Sequence, residues 1–185
     1  MRQYCVETKR LELLTSTYSM VNAMLDFLKR NRDFFSEWED KKPYDYYTKD
    51  YQRYIVRCEQ KIRQNDSGLD LWLYLRKEKK IIGKVTVFGI LGGNASFCMI
   101  GYKLDKKYQH MGYMHEALDA VIEVLFNDFE MHRVEIYILP KNSKSIKVAE
   151  RLGFEQEGTA KKYMRINGKW EDHIRYVKLN RDQKI

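Results

Sequence analysis

Proline and glycine are scarce in this chain of 185 residues, which has two prolines and ten glycines. That composition argues against a long disordered tail and predicts that most of the chain folds. No apolar run approaches the roughly 18 residues that a membrane-spanning helix needs. The first ten residues are polar and charged, which is unlike a secretory signal. We therefore expect a soluble protein without membrane contact, with residues 1–185 forming one domain.

Cysteine is also sparse, and its pattern excludes two kinds of structural site. Cys5, Cys58 and Cys98 are odd in number and far apart, so neither a disulfide framework nor a zinc site is predicted. Reduced cysteines are typical of the cytoplasm, where we expect the protein to reside. The four histidines show no ligand spacing on one helix face, so no metal is predicted.

Positive charge, in contrast, is abundant, because the net charge is +8. Residues 156–185 carry eight Lys or Arg against four Asp or Glu, which is half of the excess. Such a field indicates an anionic partner, and both a polyphosphorylated cofactor and RNA fit it.

Hydrophobic periodicity predicts the order β-α-α-β-β-β-α-β-α-β-β. A meander, a βαβ crossover and a hairpin at Asn167-Gly168 together indicate an α/β fold of the α+β type. We expect a mixed, mostly antiparallel sheet of about seven strands flanked by helices. The predicted strands cover 10–14, 69–76, 81–90, 96–104, 133–139, 154–166 and 170–179. The predicted helices follow Ser16 and cover 46–64, 112–126 and 142–152, and 31–44 is predicted as a loop or short helical turn.

The junction after the fourth strand has the chemistry of a phosphate site. A helix begins within 109–114, where unpaired N–H groups and the helix dipole favour an anion. Gly112 would let a phosphate approach the backbone without a Cβ in the way. Lys106 and Lys107 add positive charge. Alone, this junction is more typical of an ordinary helix start than of a phosphate site, because it lacks the features of a P-loop or a dinucleotide fingerprint.

Its context resembles a known family. The run Gln109-His110-Met111-Gly112-Tyr113-Met114 resembles the Gln/Arg-x-x-Gly-x-Gly/Ala cofactor motif of GNAT N-acetyltransferases, although Met114 departs from the small last residue. Asn142-x-x-Ser145 followed by Leu152-Gly153-Phe154 is similar to the C-terminal half of that fold. The likeness is greatest to the subfamily that acetylates the N-termini of ribosomal proteins.

The resemblance implies a GNAT-like fold and acetyl-CoA as cofactor. The residues that it assigns to the cofactor are Gly101, Tyr102, Lys103, Leu104, Gln109, His110, Met111, Gly112, Tyr113, Met114, Asn142 and Ser145. It also implies Ser145 as the group that stabilises or protonates the thiolate. Glu135 is the candidate base, and a purely structural glutamate is the alternative. Trp38 and Phe35 are candidates for an acceptor cleft, and core packing is the alternative for them.

The predicted function is an acetyl-CoA-dependent N-acetyltransferase. A primary amine, from a protein N-terminus or a small molecule, would attack the thioester directly. Two alternatives remain open, a basic nucleic-acid-binding module and a non-catalytic acyl-CoA-binding protein. If the protein is an N-acetyltransferase, we expect it to contact nucleic acid only through a ribosomal-protein substrate. A monomer and a homodimer are both compatible with the sequence.

Overall fold

A mixed eight-stranded sheet organises the computed structural model, which describes residues 4–181. The strands are β1 (Cys5–Glu7), β2 (Leu11–Thr15), β3 (Gly68–Leu75), β4 (Lys80–Leu91), β5 (Phe97–Leu104), β6 (Arg133–Ile138), β7 (Glu155–Ile166) and β8 (Lys169–Leu179). The helices are α1 (Val21–Arg30), α2 (Arg32–Ser36), α3 (Lys49–Gln64), α4 (Tyr113–Asn127) and α5 (Ser143–Arg151). No helix in this part of the chain has the length and apolar character needed to cross a bilayer.

The strand order is β1-β2-β3-β4-β5-β6-β8-β7, and only the β5–β6 pairing is parallel. The predicted mixed, mostly antiparallel sheet is therefore confirmed. It gains one strand over the seven that were expected, because Cys5–Glu7 pairs with β2. This edge strand is held by main-chain hydrogen bonds and lacks an apolar alternation, so periodicity did not indicate it.

The start of α3 differs from the predicted boundary, whereas the short helical turn predicted within 31–44 is observed as α2. The helix expected from residue 46 begins at Lys49, because the side chain of Thr48 accepts a hydrogen bond from the N–H of Tyr51 and caps it. The stretch expected as a loop or helical turn contains α2, which places Phe35 in the core.

Each face of the sheet has its own core. On one face, α4 and α5 pack on apolar side chains that include Val85, Ile136 and Ile138. On the other face, α1, α2 and α3 pack around Phe27 and Trp72. Because side chains alternate along a strand, neighbouring residues of one strand serve opposite faces.

The two parallel strands separate part-way along their length. Their register contains three pairs and ends at Met99 and Glu135. Beyond it, β5 pairs with β4 alone and β6 pairs with β8 alone. The sheet therefore opens between β5 and β6.

Candidate active site

A cleft of about 640 Å³ occupies the opening between β5 and β6. Its walls come from both faces of the sheet. One group of lining residues belongs to β5, α4, α5 and their N-terminal junctions, and it includes Tyr102, Gln109, Gly112, Asn142 and Ser145. Another group comes from α2 and the segment after it and from the β7–β8 hairpin, and it includes Phe34, Phe35, Trp38, Glu39, Met164, Ile166 and His173.

The outer half of β5 is an open edge along this cleft. Gly101, Tyr102, Lys103 and Leu104, which were predicted to bind the cofactor, all line the cleft. Their main chain pairs with β4 on one side only. The remaining N–H and C=O groups of this edge are available to an extended ligand chain, because buried backbone groups need partners.

The N-terminus of α4 faces the cleft without a side-chain cap. Gly112 is the N-cap residue, with a φ of 78°, and no side chain hydrogen-bonds there. A glycine adopts this left-handed conformation without strain. The first-turn residues Tyr113, Met114 and His115 line the cleft, as do Gln109 and His110. Uncapped N–H groups and the helix dipole at this junction favour an anion.

Arg10 stabilises the junction before α4 by contacting residues on both sides of Gly112. Its Nη1 donates to the carbonyl oxygen of Met111 at 2.8 Å, and its Nε lies 2.6 Å from a carboxylate oxygen of Glu116. Its guanidinium also lies over the ring of Tyr113 at 4.2 Å. Met111, which was predicted in the cofactor set, is half exposed and is absent from the cleft wall. Its main chain is used to anchor the loop instead.

The basic wall of the cleft is on α5. Lys144, Lys147 and Arg151 line it, and Lys144 Nζ donates to the side-chain oxygen of Gln109 at 2.8 Å. The sequence reading overlooked these residues, although their spacing of three and four places them on one helix face. None of the C-terminal cations between 156 and 181 lines the cleft. Three of the four Lys and Arg side chains that line the cleft are therefore on α5, and the fourth is Lys103 of β5.

Ser145 and Tyr102 form a hydroxyl pair in the middle of the cleft. Ser145 Oγ donates to the Tyr102 hydroxyl at 2.8 Å, and that hydroxyl donates to the Ser145 carbonyl oxygen at 3.2 Å. Burial raises the pKa of Tyr102 to about 12, against the opposing effect of its hydrogen bond with Ser145. Asn142 caps α5 by accepting from the N–H of Ser145 at 3.1 Å, so its side chain orients this serine.

The opposite wall is aromatic and contains one ion-pair cluster. Phe35 and Trp38, predicted for an acceptor cleft, both line it. Lys103 Nζ and Lys42 Nζ each lie 2.6 Å from a carboxylate oxygen of Glu39. Burial alone would raise the pKa of Glu39, but the two lysines outweigh it and hold the pKa below its ordinary value.

Glu135, the predicted general base, lies at the last pair before β5 and β6 separate, and it does not line the cleft. One of its oxygens accepts from Arg133 Nε at 2.5 Å, and the other accepts from the hydroxyl of Tyr137 at 2.8 Å. Tyr137 does line the cleft. Burial, followed by this hydrogen bond, raises the pKa of Tyr137 to about 12. Glu135 therefore reaches the cleft only through Tyr137.

Comparison with known proteins identifies the family. The model of the acetyltransferase (GNAT) domain matches residues 10–155. The chain belongs to the GNAT acetyltransferase family. It is an acetyl-CoA-dependent N-acetyltransferase, and the similarities favour neither the nucleic-acid-binding nor the non-catalytic alternative.

Several GNAT relatives align with most of this chain. It is 35% identical to the "Probable N-acetyltransferase YjcK" of Bacillus subtilis over 85% of the chain and 87% of the relative. It is 32% identical to the [ribosomal protein uS5]-alanine N-acetyltransferase of Escherichia coli over 82% of the chain and 78% of the relative. A solved structure, the ribosomal-protein-S5-alanine acetyltransferase of Vibrio fischeri, superposes with a TM-score of 0.92 at 31% identity. That superposition covers 98% of this chain and 100% of the other.

The GNAT assignment agrees with the chemistry of the residues in the cleft. Within residues 4–181, no group of three or more His, Cys, Asp or Glu side chains has a metal-binding arrangement. The open edge of β5, the uncapped N-terminus of α4 and the basic face of α5 offer partners for an extended, anionic cofactor such as acetyl-CoA.

Proposed function

We propose that this N-acetyltransferase acetylates the α-amine of a protein N-terminus that begins with a small residue such as alanine. The observation that carries the proposal is the two-sided cleft, whose walls lie on opposite faces of the sheet. Its α4–α5 side has the groups that an acyl-CoA needs, and its α1–α3 side is open and aromatic. Two partners entering from opposite faces would meet between β5 and β6.

The names of two relatives support a protein N-terminus. The Escherichia coli and Vibrio fischeri proteins are described as alanine acetyltransferases of a ribosomal protein, and both exceed 30% identity with this chain. On this proposal the substrate is a cytoplasmic ribosomal protein, so the enzyme works in the same compartment. Nucleic acid would then be met only on the ribosome.

On the cofactor side, the pyrophosphate would bind at Gly112 and the first turn of α4, with Lys147 and Arg151 as counter-charges. The pantetheine would pair with the free edge of β5, next to Asn142. This arrangement would hold the thioester near Ser145 in the opening of the sheet. Main-chain N–H groups of that edge would stabilise the developing oxyanion.

On the acceptor side, the peptide would lie against Phe35 and Trp38, with Met164 and Ile166 opposite. Its nitrogen would attack the carbonyl carbon directly, so that a C–N bond forms and the C–S bond breaks. The departing thiolate would be stabilised and protonated through the hydroxyl pair of Ser145 and Tyr102. Holding the two reactants together contributes much of the rate in such reactions.

The test is a competition inside one molecule. Short peptides are prepared with alanine first and one internal lysine, and mass spectrometry locates the acetyl group after reaction with acetyl-CoA. An α-amine has a pKa near 8 and a lysine near 10.4, so the α-amine needs less help to lose its proton. We expect acetylation at the α-amine alone.

A matched peptide with a blocked α-amine serves as control and should release no CoA thiol. Spermidine and a peptide that begins with a bulky residue complete the panel. Acetylation of spermidine or of the internal lysine, with the α-amine of the alanine peptide left unmodified, would contradict the proposed acceptor.

A further inference from the structure

His173 is a buried side chain in the acceptor half of the cleft. It belongs to β8, lines the cleft and is 3% exposed. The register pairs Ile174 with Ile138 of the α4–α5 face, so His173 faces the other side of the sheet. By the same register it lies just beyond the end of β6, where β5 and β6 have separated.

The hydrogen bond of His173 determines which ring nitrogen carries the proton. Nδ1 lies 3.0 Å from the carbonyl oxygen of Glu171. A carbonyl oxygen only accepts, so Nδ1 is the donor and a neutral ring presents the lone pair of Nε2. Nε2 hydrogen-bonds to no protein atom within residues 4–181. The edge of the Tyr163 ring packs on the imidazole, with ring centres 5.9 Å apart.

The carboxylates near this wall are already engaged. Glu39 is held by Lys103 and Lys42. Glu135 is held by Arg133 and Tyr137 and does not line the cleft. His173 therefore differs from both in presenting an uncommitted lone pair. Tyr163, which packs on the imidazole, stacks in turn on Tyr137 at 4.2 Å, and Tyr137 lines the cleft.

We propose that His173, rather than Glu135, is the catalytic base of the transfer. The inference rests on direct attack by an amine, as proposed above. As the amine nitrogen bonds to the carbonyl carbon, one N–H proton passes to Nε2, directly or through one water. The electron pair of the C–S bond leaves with sulfur, and the thiolate takes up a proton to become CoA thiol. His173 returns its proton to solvent, so the amine has lost one proton and sulfur has gained one.

The experiment replaces His173 while keeping its hydrogen bond. His173→Asn retains an N–H that can donate to the Glu171 carbonyl, but it has no basic nitrogen. His132→Asn is the matched control, because His132 is exposed and lies outside the cleft. Release of CoA thiol is measured with the alanine peptide and with spermidine, and stabilisation by acetyl-CoA is measured by thermal unfolding.

We expect His173→Asn to lower kcat at least about a hundredfold, as is typical for loss of a general base. The KM for the peptide and the stabilisation by acetyl-CoA should match those of His132→Asn. Unchanged kcat would overturn the proposal, as would a higher peptide KM at the same kcat. Loss of the acetyl-CoA stabilisation would show that His173 maintains the fold and would also overturn it. Failure of the proposed acceptor is distinct, since the unmodified enzyme would then turn over spermidine and leave the peptide intact.

Discussion

Gly112 allows backbone strain and phosphate binding to be measured separately. Its φ of 78° costs an L-residue about 1 to 2 kcal/mol, and a Cβ there would lie 3.4 Å from Arg10 Nη2. We therefore expect Gly112→Ala to lower Tm by about 2 to 8 °C in a chain of this size. Aspartate tolerates the left-handed region better than alanine, so Gly112→Asp should lose no more stability than Gly112→Ala.

Affinity for acetyl-CoA should follow the opposite order. An aspartate at this junction would place a negative charge beside the proposed pyrophosphate position, at a separation on the order of 5 Å for groups in near contact. Coulomb repulsion at an effective dielectric constant of about 20 to 80 gives roughly 1 to 3 kcal/mol. Gly112→Asp should therefore bind acetyl-CoA about 5- to 150-fold more weakly than Gly112→Ala.

The assay is calorimetric titration of both variants with acetyl-CoA at low and high salt, with Tm measured for each apoprotein. Added salt should narrow the difference in affinity, because the repulsion is screened. Equal affinity of the alanine and aspartate variants would refute the placement of the pyrophosphate at this helix. A difference in acetyl-CoA affinity that does not change with salt concentration would refute the electrostatic explanation.

Two further substitutions test other parts of the structure. Ser145→Ala should slow release of CoA thiol about tenfold or more while the Kd for acetyl-CoA stays unchanged, because the hydroxyl pair proposed to protonate the thiolate loses one of its two members. An unaltered rate in a thiol-release assay would exclude the serine from the chemistry. Lys84→Met should lower the free energy of unfolding, measured by chemical denaturation, by about 3 to 5 kcal/mol. The buried ammonium of Lys84 lies 2.7 Å from both Glu59 and Asp70, so its loss leaves two buried carboxylates uncompensated. A loss below about 1 kcal/mol in the free energy of unfolding would mean that solvent reaches the carboxylates of Glu59 and Asp70.

Most residues that were predicted to bind the cofactor line one cleft, and their proximity was predictable because they are nearly continuous in sequence. The β5 edge, the Gly112 junction and the Asn142–Ser145 cap fall within fifty residues and carry recognisable patterns. The basic face of α5 could also be predicted from the sequence, because its Lys and Arg residues have helical spacing. The prediction attributed the positive field to the C-terminal residues instead. What sequence patterns do not give is the point at which β5 and β6 separate, because that depends on the register of two strands.

Glu135 illustrates that dependence. The prediction correctly placed it on the strand beside the cofactor strand, but no local pattern shows at which residue the pairing of those two strands ends. The last pair is Met99 with Glu135, so Glu135 remains inside the closed part of the sheet. There it meets Arg133 and Tyr137. Its proposed role as base therefore rests on family resemblance, whereas that of His173 rests on position.

The acceptor half could not be assembled from the sequence because topology, rather than local pattern, brings it together. β8 inserts between β6 and β7, which puts His173 beside the end of β6 and turns the β7–β8 hairpin toward α2. Asp40, just after α2, accepts from Arg165 Nε at 2.6 Å and from the N–H of Gly168 at 2.9 Å. The hairpin and the α2 segment are thus joined across about 125 residues of sequence. The wall that would select the amine depends on this contact between the hairpin and the α2 segment. The specificity for the acceptor would therefore depend on tertiary contacts, which no short sequence motif contains.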